Sequence, residues 1–460
     1  MKIVVLNGSP KGDTSVTMQY VHFLQKTFPQ HEMKIMNISQ RIQAIEKDEK
    51  TFQEIIHEIS LANGVLWAFP LYFYLVHAHY KRFIELIFER GVEHVFHDKY
   101  TAALSSSIHI CDHIAHNYIN AICDDLDMKY VGAFSAFMYD LIEEESRKEL
   151  SLFAEHFFRS IEKKSPTTKS YQVTPFSQLD YLGGGVASKI DIDKKRVLVL
   201  TDSLDGQTNL GKMIERFSRS FAGEVEVINL NDVDIKSGCQ GCLQCSYDNN
   251  CSYGDEDGYI EFFNTKVRPA DVLVIAGTIK DHYLSSRWKM FFDRSYFNNH
   301  IPVMAGKQIG FIISGPLRQR PVLRQALEAY FQIHQGNIVD FITDEYESSA
   351  QIDELLQSLA ERLLLFAGED YFKPATFLGI GVAKIVRDYI FGRGRFPFQA
   401  DHRYFQRHGL YDFPQKEYMS RIINLMLILF TKIPSIRKDI YTRRIKTQMV
   451  KPLQKLLEMQ

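Results

Sequence analysis

What the 460-residue chain lacks narrows its class before any motif is read. No apolar run approaches the ~20 residues that a membrane-spanning helix needs; the longest, Ile422 to Phe430, is interrupted by Asn424. Glycine (26) and proline (14) are too few for a collagen-like or low-complexity chain, and six cysteines are too few for a disulfide scaffold. The net charge is only −2, and the 45% apolar and 24% charged fractions are those of a globular protein. The opening MKIVVLNGSPKG has no cleavable-signal architecture and runs straight into a strand and a turn, so a cytoplasmic location is expected. At about 150 residues per domain, two or three domains are expected.

Both charge and cysteine are unevenly spread. From Tyr371 to Gln460 there are 17 Lys and Arg against 6 Asp and Glu, so an acidic body carries a basic tail. Cys111 and Cys123 stand alone and read as packing residues. Cys239, Cys242, Cys245 and Cys251 fall within 13 residues. In a reducing compartment, four clustered thiols point to metal before disulfides.

Short apolar runs at 2–6, 33–38, 64–69, 101–104 and 130–134 alternate with helix-period segments near 16–28, 48–62, 77–90, 113–126 and 144–163. This pattern predicts an α/β fold with a parallel sheet covered on both faces. It lapses into a Ser, Thr, Pro and Gly-rich linker over 164–193. It then resumes with strands near 196–201, 224–230, 271–276, 307–314 and 336–342. Segments 65–87 and 272–294 align, each ending in Lys-x-Phe-(Ile/Phe)-(Glu/Asp), at Lys81 and Lys289. The expected organisation is one domain over 1–163, a second over 194–370, and a basic helical extension over 371–460. In the extension, loops are expected through FGRGRFPFQADHRYF, with helices near 416–432 and 436–458.

The loop NGSPKGDTSVT (7–17) lies between the first strand and the first helix, where a doubly wound sheet binds phosphate. Gly8 permits a tight turn, Ser9, Ser15 and Thr17 offer hydroxyls, and Lys11 offers charge. Neither G-x-x-x-x-G-K-[ST] nor G-x-G-x-x-G is present, so the loop suits a terminal phosphate monoester rather than a nucleoside triphosphate. An ordinary capped turn is the alternative. TDSLDGQTNLG (201–211) occupies the equivalent place in the second half with Ser203 and Thr208, but Asp202 and Asp205 oppose an anion.

GSPKG-x-x-S-x-T, followed by FPLYFYLVHAHYKRFI, resembles the NADPH-dependent FMN reductases and flavodoxin-like quinone reductases. The resemblance implies strand order 2-1-3-4-5 in each half. It also implies an FMN phosphate held by Ser9, Lys11, Ser15 and Thr17, and an isoalloxazine lined by Pro70, Leu71, Tyr72 and Phe73. Buried core aromatics are the alternative reading of Tyr72 and Phe73.

GCQGCLQCSYDNNC spaces its thiols as C-x2-C-x2-C-x5-C. Structural zinc sites usually draw two knuckles from separated segments. Four thiols this compact suit a cuboidal 4Fe–4S cluster with one thiolate per iron, zinc, a 2Fe–2S site or unligated thiols being the alternatives. The spacing resembles that of archaeal iron–sulfur flavoproteins, which implies homo-oligomers with FMN near a neighbour's cluster. The second half departs from that pattern, reading Gly277-Thr278-Ile279-Lys280-Asp281-His282 where the flavin-lining aromatics belong. The first half keeps the flavin loops but reads NISQRIQAIEKD (37–48) where the cysteines belong. The halves therefore suggest divided labour: flavin in the first, cluster in the second.

SSSIHICDHIAHNYI (105–119) supplies a third loop at the expected cofactor edge, with Ser107 as a contact. His109, His113 and His116 fall at i, i+4 and i+7 of one helix face, where His109 and His113 are candidate proton donors or nicotinamide contacts. Arg318 and Arg320 face either an anionic ligand or solvent. LGIGVAK (378–384) is a partial glycine fingerprint without a preceding strand, and DHRYFQRHG (401–409) reads as loop. The basic tail admits docking on the acidic body or over the active site, recruitment of an acidic electron carrier such as ferredoxin, or peripheral membrane contact through 418–438, for which burial against the paired domains or in an oligomer interface is the favoured alternative. No nucleic-acid module accompanies the charge.

The expected function is an FMN-dependent NAD(P)H oxidoreductase passing electrons from a pyridine nucleotide or ferredoxin through FMN and a 4Fe–4S cluster. The alternatives are a quinone, azo or nitro reductase without a cluster, or a non-catalytic redox-sensing scaffold.

Overall fold

The computed structural model describes residues 1–171, 175–176, 178–186, 188–412 and 417–458. Residues 172–174, 177 and 187 of the expected linker, and 413–416 and 459–460 of the expected extension, lie outside these.

Among the described residues, ten parallel strands form two sheets. The first holds β1 (Lys2–Asn7), β2 (Glu32–Asn37), β3 (Gly64–Pro70), β4 (Tyr100–Ser107) and β5 (Lys129–Phe137), in the order β2-β1-β3-β4-β5. The second holds β6 (Val197–Thr201), β7 (Glu226–Asn229), β8 (Val272–Thr278), β9 (Gln308–Ser314) and β10 (Asn337–Thr343), in the order β10-β9-β8-β6-β7. Read in chain order, both are 2-1-3-4-5, as expected. The central strands are unbroken apolar runs because helices cover both faces and leave no side for alternation. Val65 to Phe69 and Val272 to Ala276 are almost wholly buried.

The repeated Lys-x-Phe motif is explained where the two halves meet. The helices Ala78–Glu89 and Ser286–Arg294 pack together, and each one's first amide is capped by an acid near the other's C-terminal end. Ala78 N donates to Asp293 at 2.8 Å, and Ser286 N donates to Glu85 at 2.6 Å. These are amides that a helix leaves without internal acceptors, and carboxylates suit the positive end of its dipole. Lys81 is fully buried between Glu85 (2.9 Å) and Asp281 (2.8 Å). Burial pulls its ammonium down, but the two carboxylates outweigh this and hold it above its ordinary value. Lys289 is likewise buried, paired with Asp293 and donating to the Tyr72 carbonyl oxygen at 2.9 Å.

Several expectations are corrected. The stretch read as loops, 391–405, begins at the last residue of a 15-residue helix, Phe377–Phe391, and runs into a second, Gln399–Arg407. LGIGVAK lies inside the first because Gly379 is pressed against Gln332, where a Cβ would stand 3.2 Å from backbone oxygen. DHRYFQRHG is mostly helical, with Asp401 buried and accepting from His300. The expected helix over 436–458 is divided into Pro434–Asp439, a wider turn Ile440–Arg444, and Ile445–Leu457. By chain packing there are two compact units, Met1–Tyr404 and Phe405–Gln460. Among the described residues no single helix is long and apolar enough to cross a membrane.

Candidate active site

The loop after β1 is built by its own side chains. Ser9 N donates to Asn7 Oδ1 at 3.0 Å and Lys11 N to Ser9 Oγ at 3.2 Å, which folds the chain back on itself. Ser15 caps the helix Val16–Thr27, accepting from Met18 N at 3.2 Å. The first amides of that helix have no helical acceptor and face the loop, a ready-made anion position. Gly8 is required there, since a Cβ would fall 2.8 Å from Phe69 Cβ. Thr17 is turned away: its hydroxyl is 2.6 Å from Ser106 Oγ in the interior.

The loop after β3 is a tight reversal. Tyr72 N donates to Leu75 O (2.9 Å), Leu75 N donates to Tyr72 O (3.1 Å), and both central residues, Phe73 and Tyr74, have positive φ (37° and 67°). A turn of this hand normally takes Asn or Gly, and two aromatics there store strain of about 1 kcal/mol or more each. The second half holds it in place through Lys289 on the Tyr72 carbonyl. Phe73 packs edge-on against Tyr296 and Tyr330, with centroids 5.7 and 5.2 Å away.

The cysteine loop follows β7 and docks on the first half through two histidines. His77 Nε2 donates to the Cys239 carbonyl oxygen at 2.8 Å, while its ring stands edge-on to Tyr72, 4.7 Å between centroids. His79 Nδ1 donates to Ser39 O at 2.9 Å, and its Nε2 accepts from Ser237 Oγ (2.9 Å) and Gly238 N (3.2 Å). Both imidazoles are held below their ordinary value by burial, consistent with the neutral tautomers these bonds require. Gly241 has φ +64°, and a Cβ there would stand 2.2 Å from Tyr72 Oη. Burial pushes the Cys239 thiol up to about 12 and also raises Cys245.

These three loops share one cavity of about 350 Å³. Ser9, Lys11, Ser15, Pro70, Leu71, Tyr72, Phe73 and Ser107 line it from the first half, and Cys239, Cys242, Cys245 and Cys251 from the second. Sequence reasoning missed other parts of the wall, among them Tyr296, His300 and His334 of the second half, and Val382, Val386, Tyr389 and Phe398 of the extension. The apolar spacing 378, 382, 386, 389 was the signal for the last group. His334 Nε2 is buried without a hydrogen-bond partner on this wall, an unmet polar atom of the kind a ligand satisfies.

Other candidates lie elsewhere. His109 is not on a helix face, because the helix begins at Asp112 after a left-handed Cys111; it bonds Ser135 at 3.1 Å in an exposed loop. His113 is exposed, and His116 turns inward to Ser105 at 2.7 Å. Ser203 and Thr208 serve their own turn: Asp205 N donates to Ser203 Oγ at 3.4 Å, and Gly211 N donates to Thr208 Oγ1 at 3.2 Å. Beside them Asp344 is fully buried, accepting from Gln178, Asn209, Ser314 and Gly315. Arg320 is buried and donates to Asp281 O at 3.1 Å, while Arg318 stacks on Tyr346. Among the described residues, no three His, Cys, Asp or Glu side chains converge closely enough to hold one metal ion.

One family model matches the part of the chain that carries the phosphate-type loop and the aromatic turn. Residues 1–139 match the NADPH-dependent FMN reductase family. This FMN reductase match supports an NAD(P)H-dependent flavin oxidoreductase with FMN as cofactor, and it ends within the first half. Solved structures similar to the chain include an NADH:FMN oxidoreductase (16% identity, 35% of this chain, 89% of that one, TM-score 0.31). Others are the Paracoccus denitrificans flavoenzyme NAD(P)H:(acceptor) oxidoreductase (18%, 35% and 97%, 0.29) and a Bacillus anthracis FMN-dependent NADH-azoreductase in complex with FMN (14%, 36% and 98%, 0.26). No curated protein matches the chain.

Proposed function

We propose that the chain is an FMN-dependent NAD(P)H oxidoreductase whose first half holds FMN and whose second half holds a 4Fe–4S cluster on Cys239, Cys242, Cys245 and Cys251. The observation that carries this reading is the single cavity lined by Lys11, the Tyr72–Phe73 turn and all four thiols. The donor set fits both groups. Lys11 and the amides at the start of Val16–Thr27 suit a terminal phosphate, and Tyr72 offers a flat, largely buried wall. A single tetrahedral ion would draw its sulfurs to within about 4 Å of one another. A cuboidal cluster takes one thiolate per iron, and four cysteines line this one cavity.

When bound, FMN accepts two electrons as hydride and releases them singly, and a cluster carries one at a time. The chain's own residues position and insulate. His77 ties the Tyr72 ring to the Cys239 backbone, so the flavin turn and the cysteine loop move as one piece. Val382, Val386, Tyr389 and Phe398 keep water from that side of the cavity. Because burial holds the Cys239 proton, assembly of a cluster must expel it, and loading should be favoured at higher pH.

Anaerobic purification with assay of iron, sulfide, zinc and FMN tests this reading. The expected result is about four iron, four sulfide and one FMN per chain. FMN without iron would leave a plain flavin reductase, and zinc would make the cysteine loop structural.

A further inference from the structure

The unit Phe405–Gln460 carries a helix that no face of a globular protein explains. In Tyr418–Phe430, six consecutive residues, Leu425 to Phe430, are each 47–59% exposed. At 100° per residue these cover the whole circumference, so the helix is apolar and wet on every side. A soluble partner or a second copy docked on one side would cover one stripe and leave the others in water, and cover on every side takes a protein core or lipid. A lipid layer surrounds a helix on all sides.

Length and charge narrow the geometry. Thirteen residues span about 20 Å, short of the ~30 Å of a bilayer core. The chain then bends by 119° into Pro434–Thr442, so it turns back rather than crossing. Exposed Arg421, Lys432, Arg437 and Lys438 flank the apolar segment, and no Asp or Glu occurs from 418 to 438. With Glu417 and Asp439 bordering the segment, its four cations still outnumber the acids, and cations around an apolar wedge match an anionic lipid surface. We propose that residues 418–438 are a one-sided membrane anchor that beds its apolar helix among the acyl chains of an anionic phospholipid bilayer. The anchor is independent of the oxidoreductase reading.

Flotation of the full chain with phosphatidylcholine vesicles, with and without phosphatidylglycerol, tests this. Binding is expected to strengthen about tenfold or more when phosphatidylglycerol is present and to fall in high salt. The triple variant Leu425→Asp, Ile428→Asp, Leu429→Asp should lose binding to both vesicles. The variant Arg421→Gln, Lys432→Gln, Arg437→Gln should lose only the preference for phosphatidylglycerol. These positions are exposed, so circular dichroism and the melting midpoint should stay at wild-type values. Failure of the wild type to float with either vesicle overturns the proposal, as does equal flotation of the Asp variant. A wild-type dimer that the Asp variant disperses would show that a second copy covers the helix and would equally overturn it.

Discussion

At the carboxyl edge of the first sheet, Ser9 N is held by Asn7 and Lys11 N by Ser9 Oγ; at that of the second, Ser203 N is held by Thr201 and Asp205 N by Ser203 Oγ. The turns share a scaffold, and each ends on a hydroxyl cap, Ser15 or Thr208. Their chemistry is opposite. Gly8, with no room for a Cβ, is matched by a half-buried Asp202 bonded to Ser285, and the Lys11 ammonium by the Asp205 carboxylate. Burial also raises the Asp202 carboxyl above its usual range. Beyond them, Asp344 takes four hydrogen bonds, one from Gln178 in the linker. The hydroxyls that make a loop look like a phosphate site are the ones that fold the turn. The charge and the open space beside it separate a binding edge from a structural one.

Four experiments press on that contrast. The largest effect is expected from Tyr72→Ala with Phe73→Ala, which removes the wall present only on the first side. FMN affinity should fall roughly a thousandfold, about 4 kcal/mol, by fluorescence titration; full retention would break the assignment of flavin to the first half. Next is pH, which reports how the second half serves the cavity. Burial lowers His334 to about 4, with His300 adding to the shift and the Ile301 carbonyl and Asp401 opposing it. The unfolded imidazole takes up its proton near pH 6.5 and the folded one only near 4. Stability is therefore full above 6.5 and falls as pH drops through that window, by about 3 kcal/mol from this group. Urea midpoints between pH 7 and 4 should fall less steeply for His334→Gln.

A charge exchange follows. Lys11→Asp gives the first loop the character of the second and should weaken FMN by about 2 kcal/mol, roughly thirtyfold. The converse, Asp205→Lys, should create no FMN site, because Asp344 and Gln178 remain. Smallest is Ser203→Ala with Thr208→Ala: isothermal titration should record unchanged FMN stoichiometry, while thermal unfolding registers about 1 kcal/mol for the lost cap. Loss of flavin in that pair would move the cofactor to the second sheet.

The strands and most helices of both sheets were legible because a parallel sheet buried on two faces demands unbroken apolar runs at regular spacing. The Lys-x-Phe repeat was legible as a pattern but not as a reciprocal capping device, since its partners are some 200 positions away. Phe377–Phe391 was obscured by Gly379 and Gly381, which signal loops unless a close helix contact calls for a small residue. The same distance problem hid the cavity wall: nothing local to Tyr296, His334 or Tyr389 shows that they line one cavity with Tyr72. His109 was misplaced because two left-handed residues, His109 itself and Cys111, precede the helix and break the periodicity that its spacing suggested.

The strained Phe73–Tyr74 reversal has a consequence for the order in which the molecule comes apart. Its restraint is supplied by Lys289 from the other half, so the turn can relax as soon as the two helices part, while both sheets are intact. Early in heating, therefore, aromatic near-ultraviolet dichroism and ligand capacity should fade while the far-ultraviolet helix and strand signal persists. The cavity would then be the last part of the protein to form and the first to be lost.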